Sequence, residues 1–165
     1  MELIDGEIIQ FPPQSFGHSY SVDAIFHLLL EIFASGYWVR PQLPLVGSEF
    51  AETEPDVAVV RGDRETHREH LRTAVLVVEV SLSSLDYDRI TKASLYASIG
   101  VLDYWLLNSE LRVLEVRRQP VKDASQRFGW RYDEVRPIDE AGRISALEKP
   151  EASLVVSDML PPVKA

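Results

Sequence analysis

Two carboxylates in this sequence stand where a charge is out of place. Asp56 opens the apolar run Val57 to Val60 directly after Pro55, and Glu79 interrupts the run Val75 to Val80 near its end. A carboxylate buried in a strand without a partner is costly, so each acid must meet a cation, a metal or hydrogen-bond donors. Two such acids on neighbouring strands can share one divalent ion. Oxygen ligands suit Mg²⁺ or Mn²⁺, and a strand carbonyl can serve as a third ligand. The plainer alternative is a strand-end aspartate in a turn and a glutamate paired with Lys or Arg. A helical pattern after Glu79 adds a third element, because Asp88, Lys92 and Tyr96 at i, i+4 and i+8 share one face. Lys92 either reaches the shared site or bridges Asp88 at the surface.

Other chemistries find little support. There is no cysteine, which removes a disulfide framework, a thiol nucleophile and cysteine-ligated zinc or iron–sulfur centres. The zinc-protease helix His-Glu-x-x-His, the Gly-x-Ser-x-Gly elbow and the Gly-Lys-Ser/Thr phosphate loop are all absent. His67 and His70 lie in a charged segment without an apolar framework and read as a solvent-facing cluster. Trp38, Trp105 and Trp130 are dispersed and read as packing residues, so paired acids for glycoside hydrolysis would lack a sugar platform.

The net charge is −9, which opposes nonspecific attraction to nucleic acid or anionic membrane. The distribution is uneven: residues 1 to 60 hold nine acids and one basic residue, Arg40, whereas residues 112 to 136 hold seven basic residues and four acids. That second segment is either a solvated strand face or a locally positive surface. The start MELIDGEIIQF has no basic region leading into an apolar one, and the longest apolar stretch, Ala24 to Ala34, is too short to span a bilayer. A soluble, cytoplasmic protein without a membrane partner is expected.

The elements that must position these residues follow from periodicity. A hairpin is expected around Asp5-Gly6, ended by Pro12-Pro13, then a helix from Ser15–His18 to Ala34 with Ser35-Gly36 as its stop. Short strands are expected at Tyr37 to Arg40, Leu43 to Val46 and Val57 to Val60, followed by a charged loop or short helix to Arg72. Val75 to Val80 reads as a central strand covered on both faces. A turn over Ser81 to Leu85 leads to a helix from Asp86 to Ser98 stopped by Gly100. Strands at Leu102 to Leu107 and Leu111 to Arg117 follow, with late strands at Arg127 to Tyr132 and Leu154 to Val156. At 165 residues the chain suits a single domain, of α/β or mixed α+β class, with a central sheet and two main helices.

Taken in order, Pro55-Asp56, VVEVS at 77 to 81, Asp88-Arg89-Ile90-Thr91-Lys92, Tyr96-Ala97, Gly100 and Asp103-Tyr104-Trp105 resemble a large bacterial restriction-endonuclease family. That family is best known from cyanobacterial genomes and belongs to the PD-(D/E)XK nuclease-like superfamily. LIDGEI at the start and His18 fit as well, and the resemblance covers about residues 2 to 118. It implies a restriction-endonuclease-like core, a central mixed β-sheet flanked by helices. It implies that Asp56 and Glu79 hold Mg²⁺ or Mn²⁺ with the Val80 carbonyl. The superfamily signature places lysine two residues after the second acid, where this chain has Ser81. In this family the lysine has moved to the following helix, which selects Lys92, and His18 becomes an accessory group in the same cleft. Two positions depart from the family's pattern: Ser81-Leu82-Ser83-Ser84-Leu85 replaces Ser-Pro-Ser-Thr, and Asn108 replaces an acid. The activity implied is metal-dependent hydrolysis of DNA phosphodiesters. Because one small domain offers one site and cutting both strands of a duplex needs two, a homodimer is expected. The rival is a nonenzymatic nuclease-fold module that binds nucleic acid or protein.

Overall fold

In the computed structural model, which describes residues 1–10, 13–82 and 84–163, the chain opens with β1 (Glu2–Ile4) and β2 (Glu7–Ile9) paired around Asp5-Gly6. Both turn residues have positive φ, 53° and 79°, the type I′ geometry that Asp-Gly adopts readily. Of the Pro12-Pro13 break expected next, Pro12 lies outside the described residues. Helix α1 (Phe16–Ile32) is capped by Ser15, whose hydroxyl accepts from the His18 N–H at 3.2 Å. There follow β3 (Tyr37–Pro41), β4 (Leu45–Ser48), β5 (Ala51–Thr53), β6 (Val57–Arg61), a 3₁₀ turn over Arg64–Thr66 and β7 (Leu76–Ser81). The strand expected at Leu43 to Val46 is displaced to Leu45–Ser48. Pro44 cannot donate to a ladder, and its carbonyl instead accepts from Arg40 Nη2 at 3.0 Å.

Of the turn expected over Ser81 to Leu85, Ser83 lies outside the described residues. The helix expected as one piece is interrupted: α2 (Leu85–Tyr87) passes into a π-helical turn over Asp88–Lys92 before α3 (Ala93–Ser98). The remaining strands are β8 (Asp103–Asn108), β9 (Val113–Lys122), β10 (Trp130–Asp139), β11 (Arg143–Ile144) and β12 (Leu154–Val155). β10 runs well beyond the segment expected at Arg127 to Tyr132. Its residues after Tyr132 are mostly exposed or half-exposed, so no apolar alternation announces them.

The central sheet has the order β10-β9-β8-β7-β6-β3, and β7 and β8 are its parallel pair, joined by the α2–α3 crossover. A second sheet, β2-β1-β5-β4, carries the N-terminal hairpin. α1 packs on the face made by Val57, Val59, Leu76, Val78, Val80 and Trp105. Ala93, Tyr96 and Ala97 of the α3 segment pack on the opposite face with Ala58, Val60, Val77, Tyr104 and Leu106. Cover on both faces explains the nearly continuous apolar run of β7. Trp105 is fully buried, and truncating such a side chain costs about 3–5 kcal/mol.

The basic segment is largely neutralised within the fold. Arg112 pairs with Glu140, Arg117 with Glu115, Arg118 with Asp103, Arg127 with Asp5 and Glu7, and Arg131 with Asp123 and Asp133. The locally positive surface is thereby offset at five of its seven basic positions.

Candidate active site

Adjacent strands bring the two acids face to face. β6 and β7 pair antiparallel with Val57 opposite Val78, so the register sets Asp56 against Glu79 just past the last paired residues. There the Asp56 side chain takes over from the backbone ladder. Its Oδ2 accepts from the Val80 N–H at 2.8 Å, and its own N–H donates to Glu79 Oε2 at 3.4 Å. The Ser81 carbonyl accepts from the Ser109 N–H on the β8 side. Strand alternation therefore turns the N–H and carbonyl of Val80 toward Asp56.

The π turn supplies the cation. Its i→i+5 bonding widens the helix where Asp88 and Lys92 both turn inward, a feature that occurs often at functional sites. Tyr104 holds the turn in place by donating to the Asp88 carbonyl at 3.1 Å. The Lys92 ammonium lies 2.9 Å from Glu79 Oε1, 2.9 Å from Glu2 Oε1 and 3.8 Å from Asp88 Oδ1, with 5% of the residue exposed. Tyr96, one turn further on, donates to Glu79 Oε1 at 2.5 Å. Ser84 donates to Asp88 Oδ2 at 2.6 Å and lies 3.3 Å from the Ser81 hydroxyl. From α1, His18 Nε2 donates to Asp56 Oδ2 at 3.1 Å.

The cluster carries more negative charge than it neutralises. Glu2, Asp56, Glu79 and Asp88 are all buried around one ammonium and one partly buried imidazole. Burial, reinforced by Asp56, Asp88 and Glu2, pushes the Glu79 carboxyl well above its usual range against the pull of Lys92. Burial likewise raises Asp88, against Lys92 and the Ser84 and Ser81 hydroxyls. Burial alone would lower Lys92, but Glu79, Glu2 and Asp88 outweigh it and hold the amine protonated. For His18 burial also acts downward, and the bond to Asp56 overcomes it and raises the imidazole.

The four acids, Lys92, His18, Val80 and Ser84 line one open cleft of about 510 Å³, which also receives Gln14, Gln42 and Glu54. The cleft brings together Asp56, Glu79, Val80, Lys92 and His18. Lys92 bridges Asp88 as the plainer reading had it, but inside the cleft rather than at the surface. The surplus of buried acid and the all-oxygen donor set fit a hard divalent cation between Asp56 and Glu79. Among the described residues, however, no group of three or more His, Cys, Asp or Glu is placed to hold a metal. Any such ion would rest on the two acids and the Val80 carbonyl.

Sequence reasoning passed over Glu2, read only as part of a hairpin. No local pattern marks it in so short a strand; in the structure Glu2 and Ile4 point inward on β1 while Leu3 between them is less buried. The Asp103-Tyr104-Trp105 motif belongs to the framework. Asp103 anchors the chain beyond β8, Tyr104 supports the π turn and Trp105 fills the core.

No curated protein matches this chain. Among solved structures, it is similar to the crystal structure of a "putative nuclease belonging to DUF820" from Anabaena variabilis. The identity is 17% over 96% of this chain and 88% of that one, with a TM-score of 0.73. It is also similar, at a TM-score of 0.41 and 23% identity, to the type IIG restriction endonuclease BpuSI, over 69% of this chain and 13% of that one. The first likeness shows the fold, a mixed sheet flanked by helices of restriction-endonuclease type. Residues 1–147 match the family described as "Uma2: Putative restriction endonuclease". With most of its length matched and the nuclease-like fold behind it, the chain belongs to the Uma2 family of the PD-(D/E)XK-like superfamily.

Proposed function

We propose that this protein is a divalent-metal-dependent DNA endonuclease whose site is Asp56, Glu79, Lys92 and His18. The observation that carries the reading is the cleft itself, where three buried carboxylates surround one buried ammonium and a fourth, Asp56, stands against Glu79 from the adjoining strand. Asp56, Glu79 and the Val80 carbonyl would hold Mg²⁺ or Mn²⁺. Such an ion, when bound, polarises a phosphate oxygen and acidifies a bound water. The chain's own part is positional and electrostatic. The Val80 N–H and His18 fix the Asp56 carboxylate from two sides, and Tyr96 and Lys92 fix that of Glu79. Lys92, kept protonated by its three acids, offers positive charge to the phosphoryl oxygens as charge develops rather than acting as a base. His18, in the first turn of α1, lines the cleft with its Nε2 on Asp56 and acts by holding that carboxylate in place.

Cutting both strands of duplex DNA with one such site per chain calls for two copies, so a homodimer on DNA belongs to the proposal. Light scattering with and without duplex checks it. A nonenzymatic role is favoured by one observation, the internal neutralisation of the basic segment that would otherwise meet DNA. The test is a calorimetric Mn²⁺ titration of wild type, Asp56→Ala and Glu79→Ala, with cleavage assays on single-stranded, duplex and branched DNA. Binding that needs both acids, together with cleavage, supports the nuclease. Binding without cleavage of any substrate favours the nonenzymatic module, and metal binding that survives both substitutions removes the site.

A further inference from the structure

We infer that Glu2 is a positioning residue for Lys92, a role given to the N-terminal strand by the second sheet. The inference rests on the nuclease reading for its consequence in turnover, but its structural content stands apart from it. Glu2 is 4% exposed and lies on β1, outside the central sheet that carries Asp56 and Glu79. Its Oε1 is 2.9 Å from the Lys92 ammonium and accepts from the Glu54 N–H at 3.0 Å. Oε2 is buried with no hydrogen-bond partner among the described residues, and the side chain lines the cleft. A carboxylate left half-satisfied in this way is costly unless it serves an arrangement around it.

The arrangement is the placement of the ammonium. Glu79 Oε1 already receives Tyr96 as well as Lys92, so it binds the amine with a shared oxygen. Asp88 stands further off, at 3.8 Å. Among the described residues, Glu2 is therefore a carboxylate at 2.9 Å from Lys92 that the proposed ion does not also need. The Glu54 N–H fixes Glu2 from one side, and β1 is fixed by pairing with β5, where Ile4 meets Ala51. Glu54 lies two residues before Asp56. A short link of covalent and hydrogen-bonded steps thus sets the amine relative to Asp56 without passing through Glu79.

The test uses Glu2→Gln, which keeps an acceptor oxygen and nearly the same volume, and Glu2→Ala, which keeps neither. Lys92 labelling by a water-soluble acylating reagent is mapped by mass spectrometry against exposed Lys122, alongside a Mn²⁺ titration and steady-state cleavage. In Glu2→Ala the Lys92 to Lys122 labelling ratio should rise about tenfold or more, the factor one charge-assisted hydrogen bond supplies. Glu2→Gln should fall between wild type and Glu2→Ala. Mn²⁺ affinity should stay within about twofold, while kcat falls about 10²-fold with KM little changed, as expected for a misplaced group. Unchanged labelling in Glu2→Ala overturns the inference, and so does a large loss of Mn²⁺ affinity, which would make Glu2 a ligand. If wild type cuts nothing, the nuclease reading fails alone, because the labelling ratio still decides what holds Lys92.

Discussion

Two buried acids at the ends of adjacent central strands are built on opposite terms. Asp103, at the start of β8, is fully buried and accepts from Trp105 Nε1 at 2.8 Å, Arg118 Nε at 2.8 Å, Arg118 Nη2 at 3.2 Å and the Leu147 N–H at 2.9 Å. One carboxylate meets one guanidinium, and both oxygens are used. Glu79, near the end of β7, sits with two further acids, Glu2 and Asp88, around a single ammonium and against Asp56, beside an open cleft. Neutral and saturated, the Asp103 cluster is what an anchor requires. An over-charged cluster costs stability and is retained where chemistry uses it. The identity of the residue does not separate the two cases; the count of partners does.

The strongest way to break this contrast is to neutralise each acid in turn. Glu79→Gln keeps acceptors for Tyr96 and Lys92 while removing one surplus charge. Cleavage should drop to background while urea denaturation shows stability unchanged or slightly raised. Asp103→Ala leaves Arg118 and the Trp105 and Leu147 donors without their acceptor. It should cost about 3–5 kcal/mol. Equal destabilisation by the two substitutions would erase the distinction between anchor and site.

Lys92→Ala sharpens it from the cationic side. Turnover should fall about 10²-fold if the amine stabilises developing charge. Stability should fall as well, because Glu2, Glu79 and Asp88 then lie buried without their ammonium. The acids raised by burial, Glu79 and Asp88, set the sign. With Lys92 absent their carboxyls rise further, so the penalty is greatest above those values and shrinks as acidification protonates them. Melting temperatures of Lys92→Ala and wild type should therefore converge toward low pH.

How much of this was legible beforehand follows the same division. Asp56 and Glu79 stood out because each is a charge set against an apolar run. Lys92 stood out because it shares a helical face with Asp88 and Tyr96 and fits the family resemblance. The strands and helix carrying them were visible from apolar runs. Glu2 was hidden because a three-residue strand in a hairpin has too few positions for its one inward acid to look anomalous. The π turn left no trace, since Asp88 and Lys92 at i, i+4 satisfy an ordinary helix equally well. β10 past Tyr132 went unread because its faces are exposed and charged, so pairing with β9 rather than burial fixes it. The pairing of Arg118 with Asp103, Arg127 with Asp5 and Arg131 with Asp123 depends on contacts across strands and loops, which local charge counting does not reach.

His18 tests the rim of the site more gently. Its imidazole is raised above the usual histidine value by the bond to Asp56, against burial. A group raised on folding stabilises fully below its unfolded value, and that contribution is lost as pH rises through the folded one. Wild type should therefore exceed His18→Asn in stability by more at pH 5.5 than at pH 9, by thermal denaturation. A gap that widens with pH would mean that His18 is held neutral instead.

The smallest effect belongs to Arg89, which shares the π turn with Asp88 and Lys92 but faces away from the cleft. Its guanidinium pairs with Glu115, and Glu115 also accepts from Arg117 Nη2 at 2.7 Å. The Glu115 carboxyl is held below its usual range because these two arginines outweigh its burial. Removing Arg89 leaves Arg117 in place, and Arg89 is about one-third exposed, so solvent already screens much of the pair. Arg89→Ala should cost less than about 1 kcal/mol. Turnover should stay close to wild type, since Tyr104 rather than Arg89 clamps the Asp88 carbonyl. A large loss of kcat in Arg89→Ala with stability intact would show that the π turn is tuned from its outer face, and the boundary drawn between framework and site would then have to move outward to Glu115.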